Sequence, residues 1–177
     1  MTLVVEDGTG KADAESYVSV ADAVTTATAL GLTFANDANA EAALRRATIW
    51  MDATYRSRLG GWRTRYRDQA LEFPRTGMWD NGTIPQLIAA DEIPVEWKRA
   101  CVIAAVREKA SSGSLSPDVT PGQIKKSVEV SGAVKVEYAV GAGSVEGQRP
   151  IVTMIDDALS SLLPISRGTV LAGSVTR

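Results

Sequence analysis

Between residues 56 and 92 the chain has room for short elements at most, and this constrains its fold more than any other feature. Gly60-Gly61, Pro74, Gly77, Asn81-Gly82 and Pro85 punctuate the stretch, and each is a turn or breaker signal. A connector of this length inside one domain is uncommon and usually has a task. Within it, Gln69-Ala-Leu-Glu-Phe-Pro-Arg-Thr-Gly77 reads as an extended apolar plug. Pro74 fixes its own φ and biases Phe73 toward extended backbone, so Leu71 and Phe73 are held stiffly. Ile93-Pro-Val-Glu-Trp-Lys-Arg-Ala100 then opens a helix. Pro94 suits a first turn that tolerates a missing N–H, and Glu96 lies near the positive helix end.

Around the connector, hydrophobic periodicity predicts about four helices. The first spans 19–30. It opens at Ser19 with Asp22 three residues on, a shortened capping box, and closes near Gly31. The second spans 37–55, where Ala40, Ala43, Leu44, Ala47, Trp50, Met51 and Thr54 form one continuous stripe. The third spans 94–110 and ends before Ser111-Ser-Gly-Ser114. The fourth spans 152–163, carries Ile155, Leu159, Leu162 and Leu163, and stops at Pro164. From Lys125 the period changes to two: Val128 and Val130, then Val134, Val136 and Tyr138, flank Ser131-Gly132. That pattern predicts strands at 125–130 and 133–139, as a β-hairpin or a pair of edge strands. The expected architecture is mainly α: a small helical bundle with a long connector and a hairpin before the C-terminal helix. One domain covers 17–164, between a flexible arm at 1–16 and a weakly patterned tail at 165–177, with a flexible link from Gly141 to Gln148.

With 177 residues, 45% of them hydrophobic, and a net charge of −2, the chain can bury a core and is ordinary for a soluble protein. It contains no histidine and one cysteine. The first fact removes Ser-His-Asp and Cys-His catalysis and every His-based metal site. The second excludes an intramolecular disulfide, and Cys101, in an apolar run, reads as a small buried hydrophobe. Asp91/Glu92 and Asp156/Asp157 are sequence neighbours that diverge on a helix, whereas acid–base work needs two groups held across a cleft. Asp7-Gly-Thr-Gly10 has the form of an aspartic-protease triplet but occurs once, where two aspartates are required. There is no phosphate loop, dinucleotide fingerprint or cysteine cluster. The expectation is a protein that is not an enzyme and holds no cofactor or metal. The N-terminus carries no basic region leading into an apolar core, and no apolar run reaches membrane-spanning length, so a soluble chain made in a cytoplasm, without a membrane partner, is expected.

The basic run is the strongest chemical signal. Arg56, Arg58, Arg63, Arg65, Arg67 and Arg75 alternate with Tyr55, Trp62 and Tyr66. Cations for phosphates beside flat rings for bases are what single-stranded nucleic acid requires. The same arginines could instead bond carboxylates on this chain or a neighbouring one, or line a channel for duplex DNA without reading its sequence. Trp50, on the helix stripe, belongs to the core. Trp62 and Trp79, in the connector, are candidate interface anchors with Leu71, Phe73, Pro74 and Arg75, because tryptophan and arginine are enriched at interface hot spots.

The ordered set Ala14-Glu-Ser-Tyr-Val-Ser-Val-Ala-Asp22, Gln69 to Gly77, Ile93 to Ala100, Gly132-Ala-Val-Lys-Val-Glu-Tyr138 and Ile155-Asp-Asp-Ala-Leu-Ser-Ser-Leu-Leu-Pro164 resembles a family of tailed-bacteriophage proteins. That family is catalogued as "putative DnaT-like single-stranded-DNA-binding protein", and in phage gene order it looks like the head-to-tail adaptor, or head-completion protein. The resemblance covers most of residues 12–164. It implies a structural virion protein in the neck between head and tail, assembled with itself as a ring, usually a dodecamer. Portal protein and a tail, terminator or stopper protein would be its partners, and the genome would pass through the ring with non-specific contact. A ring requires one patch to meet a different patch on the neighbour. The alternative, carried by the catalogue label, is a replication accessory that binds single-stranded DNA. The resemblance supplies no catalytic residue.

Overall fold

A computed structural model describes residues 2–118, 127–130, 134–137 and 150–163. The helices start where the local chemistry provides a cap. α1 (Val20–Ala29) begins after Ser19, whose hydroxyl accepts from the Asp22 N–H at 3.1 Å and donates to the Asp22 carboxylate at 2.7 Å. It ends at Leu30, before Gly31, which takes φ +70°. α2 (Ala40–Tyr55) begins three residues later than expected. The Asp37 carboxylate accepts from Asn39 and its carbonyl from Ala40, so residues 37–39 form a turn ahead of the helix. A single 3₁₀ turn, Arg56–Arg58, continues it. α3 (Val95–Ala110) starts directly after Pro94, with Glu96 in its first turn and Arg107 and Lys109 in its last. α4 is only Thr153–Ala158, and Leu159 to Leu163 pack as turns instead of prolonging it.

The mainly-α bundle expected from periodicity is not what forms. The four α-helices have 10, 16, 16 and 6 residues, and three antiparallel two-stranded sheets occur among the described residues. β1 (Trp62–Arg63) pairs with β2 (Arg75–Thr76), and β3 (Trp79–Asp80) pairs with β4 (Gln86–Leu87). β5 (Ser127–Val130) pairs with β6 (Val134–Glu137), with Val128 opposite Val136 and Val130 opposite Val134. The first two sheets lie in the connector. Their strands are two residues long, too short to imprint an alternating pattern, so periodicity registered no strand in the connector. The Gly141–Gln148 link and the 165–177 tail lie outside the described residues.

α3 is the central helix and packs against α1, α2 and α4. Trp97, fully buried, gathers the aromatic core. Tyr17 and Tyr55 meet it edge to face at 5.9 and 6.2 Å, and Phe73 lies tilted against it at 4.8 Å. The Trp97 indole N–H has no hydrogen-bond partner among the described residues. Trp50 and Cys101 are buried, and burial pushes the Cys101 thiol up to about 12.

The segment read as a flexible arm is tied down. Val5 and Ser16 form a parallel bridge, and Arg45 of α2 reaches Glu15 at 2.9 Å. Glu6, 2% exposed, accepts backbone N–H groups from Asp7, Gly8 and Gly10 on one oxygen and from Lys11 on the other. A buried carboxylate at the centre of a ring of donors gives the turn an internal anchor that composition alone does not reveal.

Candidate functional site

The arginine-rich run closes into a loop with a narrow neck. At the neck, the buried Glu72 carboxylate binds Arg56 through one oxygen and Arg75 through the other, both at 2.7 Å. Arg75 also donates to the carbonyls of Gly60 and Gly61 at 2.8 Å each. The two ends of the loop are thereby fastened to each other and to the end of α2. Arg58 pairs with Asp156 at 3.2 Å and lies over the Tyr55 ring, whose hydroxyl donates to the same carboxylate. Burial, together with the hydrogen bond to Asp156, raises the Tyr55 phenol above its ordinary range.

Above the neck the loop is braced from within. Thr64 N–H donates to Pro74 O, and the Thr64 hydroxyl donates to Ala90 O. Tyr66 and Asp68 N–H groups close tight turns onto Arg63 O and Arg65 O. Tyr66 takes φ +53°, a left-handed conformation unusual for a side chain of its size. Gln69, 2% exposed, receives the Arg65 N–H on its amide oxygen at 2.8 Å and donates its amide to Leu71 O and Pro74 O. Arg63 bonds the Gln69 carbonyl at 3.2 Å.

What this bracing leaves outward is a short list. Trp62 is 53% exposed, Tyr66 67% and Trp79 51%. Arg65 and Arg67 are exposed and meet no carboxylate among the described residues. The β3–β4 ribbon adds exposed Ile84 and Leu87, with Trp79 directly opposite Leu87. The basic run is therefore divided: Arg56, Arg58 and Arg75 serve ion pairs within the domain, Arg63 braces the loop, and Arg65 and Arg67 are the two left to meet something else.

Four of the interface candidates are interior residues. Leu71, Phe73, Pro74 and Arg75 are all buried, Phe73 completely. The plug is stiff, as Pro74 dictates, but it is stiff against its own helices, and its apolar side chains present no surface. Trp62 and Trp79 remain outward-facing.

Beneath the plug lies a polar cluster with no signal in the sequence. Tyr17 Oη donates to Asp52 Oδ1 at 2.6 Å and accepts the N–H groups of Glu72 at 2.9 Å and Phe73 at 3.2 Å. Asp52 Oδ2 accepts the Glu72 N–H at 3.0 Å. Asp52 occupies the buried side of α2, where the stripe of apolar neighbours gave no hint of a carboxylate partner. Burial pushes its acid up to about 7, although the hydrogen bonds from Tyr17 and Glu72 act in the opposite direction.

Asp91, Glu92 and Asp157 are exposed, and Asp156 is engaged by Tyr55 and Arg58. Among the described residues no group of three or more Cys, Asp or Glu side chains is placed to hold a metal ion, and no helix is long and apolar enough to cross a membrane. A family model described as "Putative DnaT-like ssDNA binding protein" matches residues 1–177. No match is found among curated proteins or among solved structures.

Proposed function

The chain belongs to the family described as "Putative DnaT-like ssDNA binding protein", and from that membership we propose that it binds single-stranded DNA through the 62–67 loop. The observation that carries this reading is the pairing of exposed Trp62 and Tyr66 rings with Arg65 and Arg67, which meet no carboxylate among the described residues, on a loop held at its base. Bases stack on aromatic faces at about 1–3 kcal/mol each without sequence preference. Arginine supplies the phosphate contacts, and counter-ion release makes binding salt-dependent, at about −0.7 in the log–log slope per neutralised phosphate of a single strand.

The test is fluorescence anisotropy with a labelled oligothymidylate across a salt series. Arg65→Ala with Arg67→Ala should flatten the salt slope by about 1.4, and Tyr66→Ala should weaken binding by about fivefold or more with the slope kept. An unmodified chain that fails to bind at low salt sinks the proposal.

A second reading, the head-to-tail adaptor of a tailed phage, is favoured by a different observation. Trp79, Ile84 and Leu87 are exposed together on the β3–β4 ribbon, and such a set suits a protein partner better than a phosphate backbone. In that reading the chain is a virion protein whose partners are portal, a tail or stopper protein and further copies of itself in a ring. Mass photometry of the chain mixed with portal distinguishes the two: ring-sized species lost on Leu87→Asp support the adaptor, and their absence with tight oligonucleotide binding excludes it.

A further inference from the structure

The N-terminal turn and the arginine–aromatic loop are in contact, and the contact is close. A Cβ placed on Gly10 would lie 2.9 Å from Arg65 Cδ, 3.0 Å from Arg65 Cγ and 3.4 Å from Gln69 Oε1. The stem of Arg65 thus runs directly over a glycine that leaves it room. One residue on, the Lys11 carbonyl accepts the Ala70 N–H at 2.9 Å. The turn is itself fixed by Glu6, whose buried carboxylate collects four backbone N–H groups, and Gly8 abuts the Asp91 carbonyl so closely that a Cβ would sit 2.0 Å from it. On the other side of Arg65, Gln69 holds the Arg65 N–H. Main chain and side chain of Arg65 are therefore constrained by separate elements, one inside the loop and one far from it in sequence.

We propose that Glu6, Gly10 and Gln69 are positioning residues that pre-form the 62–67 loop and set the direction of Arg65 toward single-stranded DNA. This rests on the reading of the loop as the DNA-binding element and adds how the free protein presents it. A loop already ordered before binding loses little conformational entropy when the strand arrives, so more of the contact energy appears as affinity. Tyr66, held at φ +53° by the flanking turns, is presented by the same brace.

Two measurements test the proposal. The first is hydrogen exchange of the unliganded chain. The Thr64, Arg65, Tyr66, Asp68 and Ala70 amides all have partners, so peptides covering 62–70 should exchange slowly without DNA and gain little protection with it. Fast exchange in the free chain, with protection appearing only on addition of oligothymidylate, overturns pre-formation. The second is a double-mutant cycle on oligothymidylate affinity, with each variant's folding checked by urea titration. Gly10→Ala should weaken binding about tenfold, comparably to Arg65→Ala, because both lose one charge-assisted contact. The double variant should be no weaker than Arg65→Ala alone. Losses that multiply, or a Gly10→Ala chain that binds like the parent, overturn the coupling. Failure of the parent to bind overturns the DNA-binding reading itself and is read from the parent titration alone.

Discussion

Asp52 makes the stability of this domain fall as the solution becomes less acidic, and Asp52→Asn should remove that dependence. Its acid lies at about 7 in the folded protein and at the ordinary 3.8 in the unfolded chain. Burial is the largest cause, and the nearby Glu72 charge adds to it. The Tyr17 and Glu72 N–H hydrogen bonds and the more distant Arg56 oppose it. The folded value is raised, so the contribution of Asp52 to stability is complete below about pH 3.8 and is lost as pH rises through about 7. Between those limits the folded state holds one proton more than the unfolded state, and each pH unit removes about 1.4 kcal/mol. From pH 5 to pH 7 this amounts to about 2.5 kcal/mol. Urea unfolding followed by tryptophan fluorescence at pH 5, 6, 7 and 8 measures it. Asn keeps an oxygen for the Tyr17 hydroxyl and carries no charge, so the variant should gain on the parent by about 2–3 kcal/mol across the series. A difference between the two chains that stays constant with pH would refute the reasoning. It would mean that the two hydrogen bonds from Tyr17 Oη and the Glu72 N–H hold the carboxylate ionised despite its burial.

Two further substitutions address the plug and the neck. Phe73→Ala removes a fully buried ring from against Trp97 and should cost about 3–5 kcal/mol in urea unfolding, compared with under about 0.5 for an exposed control such as Ile84→Ala. Gly61→Ala places a Cβ 2.3 Å from Thr76 O at φ +63°, whereas a Cβ on Gly60 meets nothing within 4 Å. The first should therefore lower the melting temperature by several degrees, on the order of 1–3 kcal/mol, and the second should leave it nearly unchanged.

The sequence spoke most clearly where one element carried its own instructions. Ser19 and Asp22 cap α1 as their spacing requires, the stripe from Ala40 to Met51 lies buried along α2, and α3 follows Pro94 directly. Signals that depend on two distant segments were illegible. The arginines of the basic run look alike in sequence, yet Glu72 pairs with exposed Arg56 and buried Arg75, and Asp156 pairs with exposed Arg58. Glu6 sits in a glycine-bearing stretch whose composition suggests mobility, but four backbone donors converge on it once the turn forms. Asp52 stands outside the apolar stripe of α2 in sequence, yet it is buried under Tyr17 and the plug. The paired two-residue strands explain why helical periodicity alone overstated the α content.

The single carboxylate at the neck has a consequence for how this family can change. Because Glu72 holds Arg56 and Arg75 together, and Arg75 also grips Gly60 and Gly61, the ten residues from Trp62 to Leu71 leave and re-enter the domain through one fixed gate. Closing a loop costs entropy that grows only slowly with its length. The outward part of the loop can therefore be lengthened, shortened or recoloured with other side chains while the aromatic core stays undisturbed. The gate makes the loop an exchangeable cartridge, and a transplant between relatives needs to preserve Arg56, Glu72 and Arg75 before any of the residues that face outward.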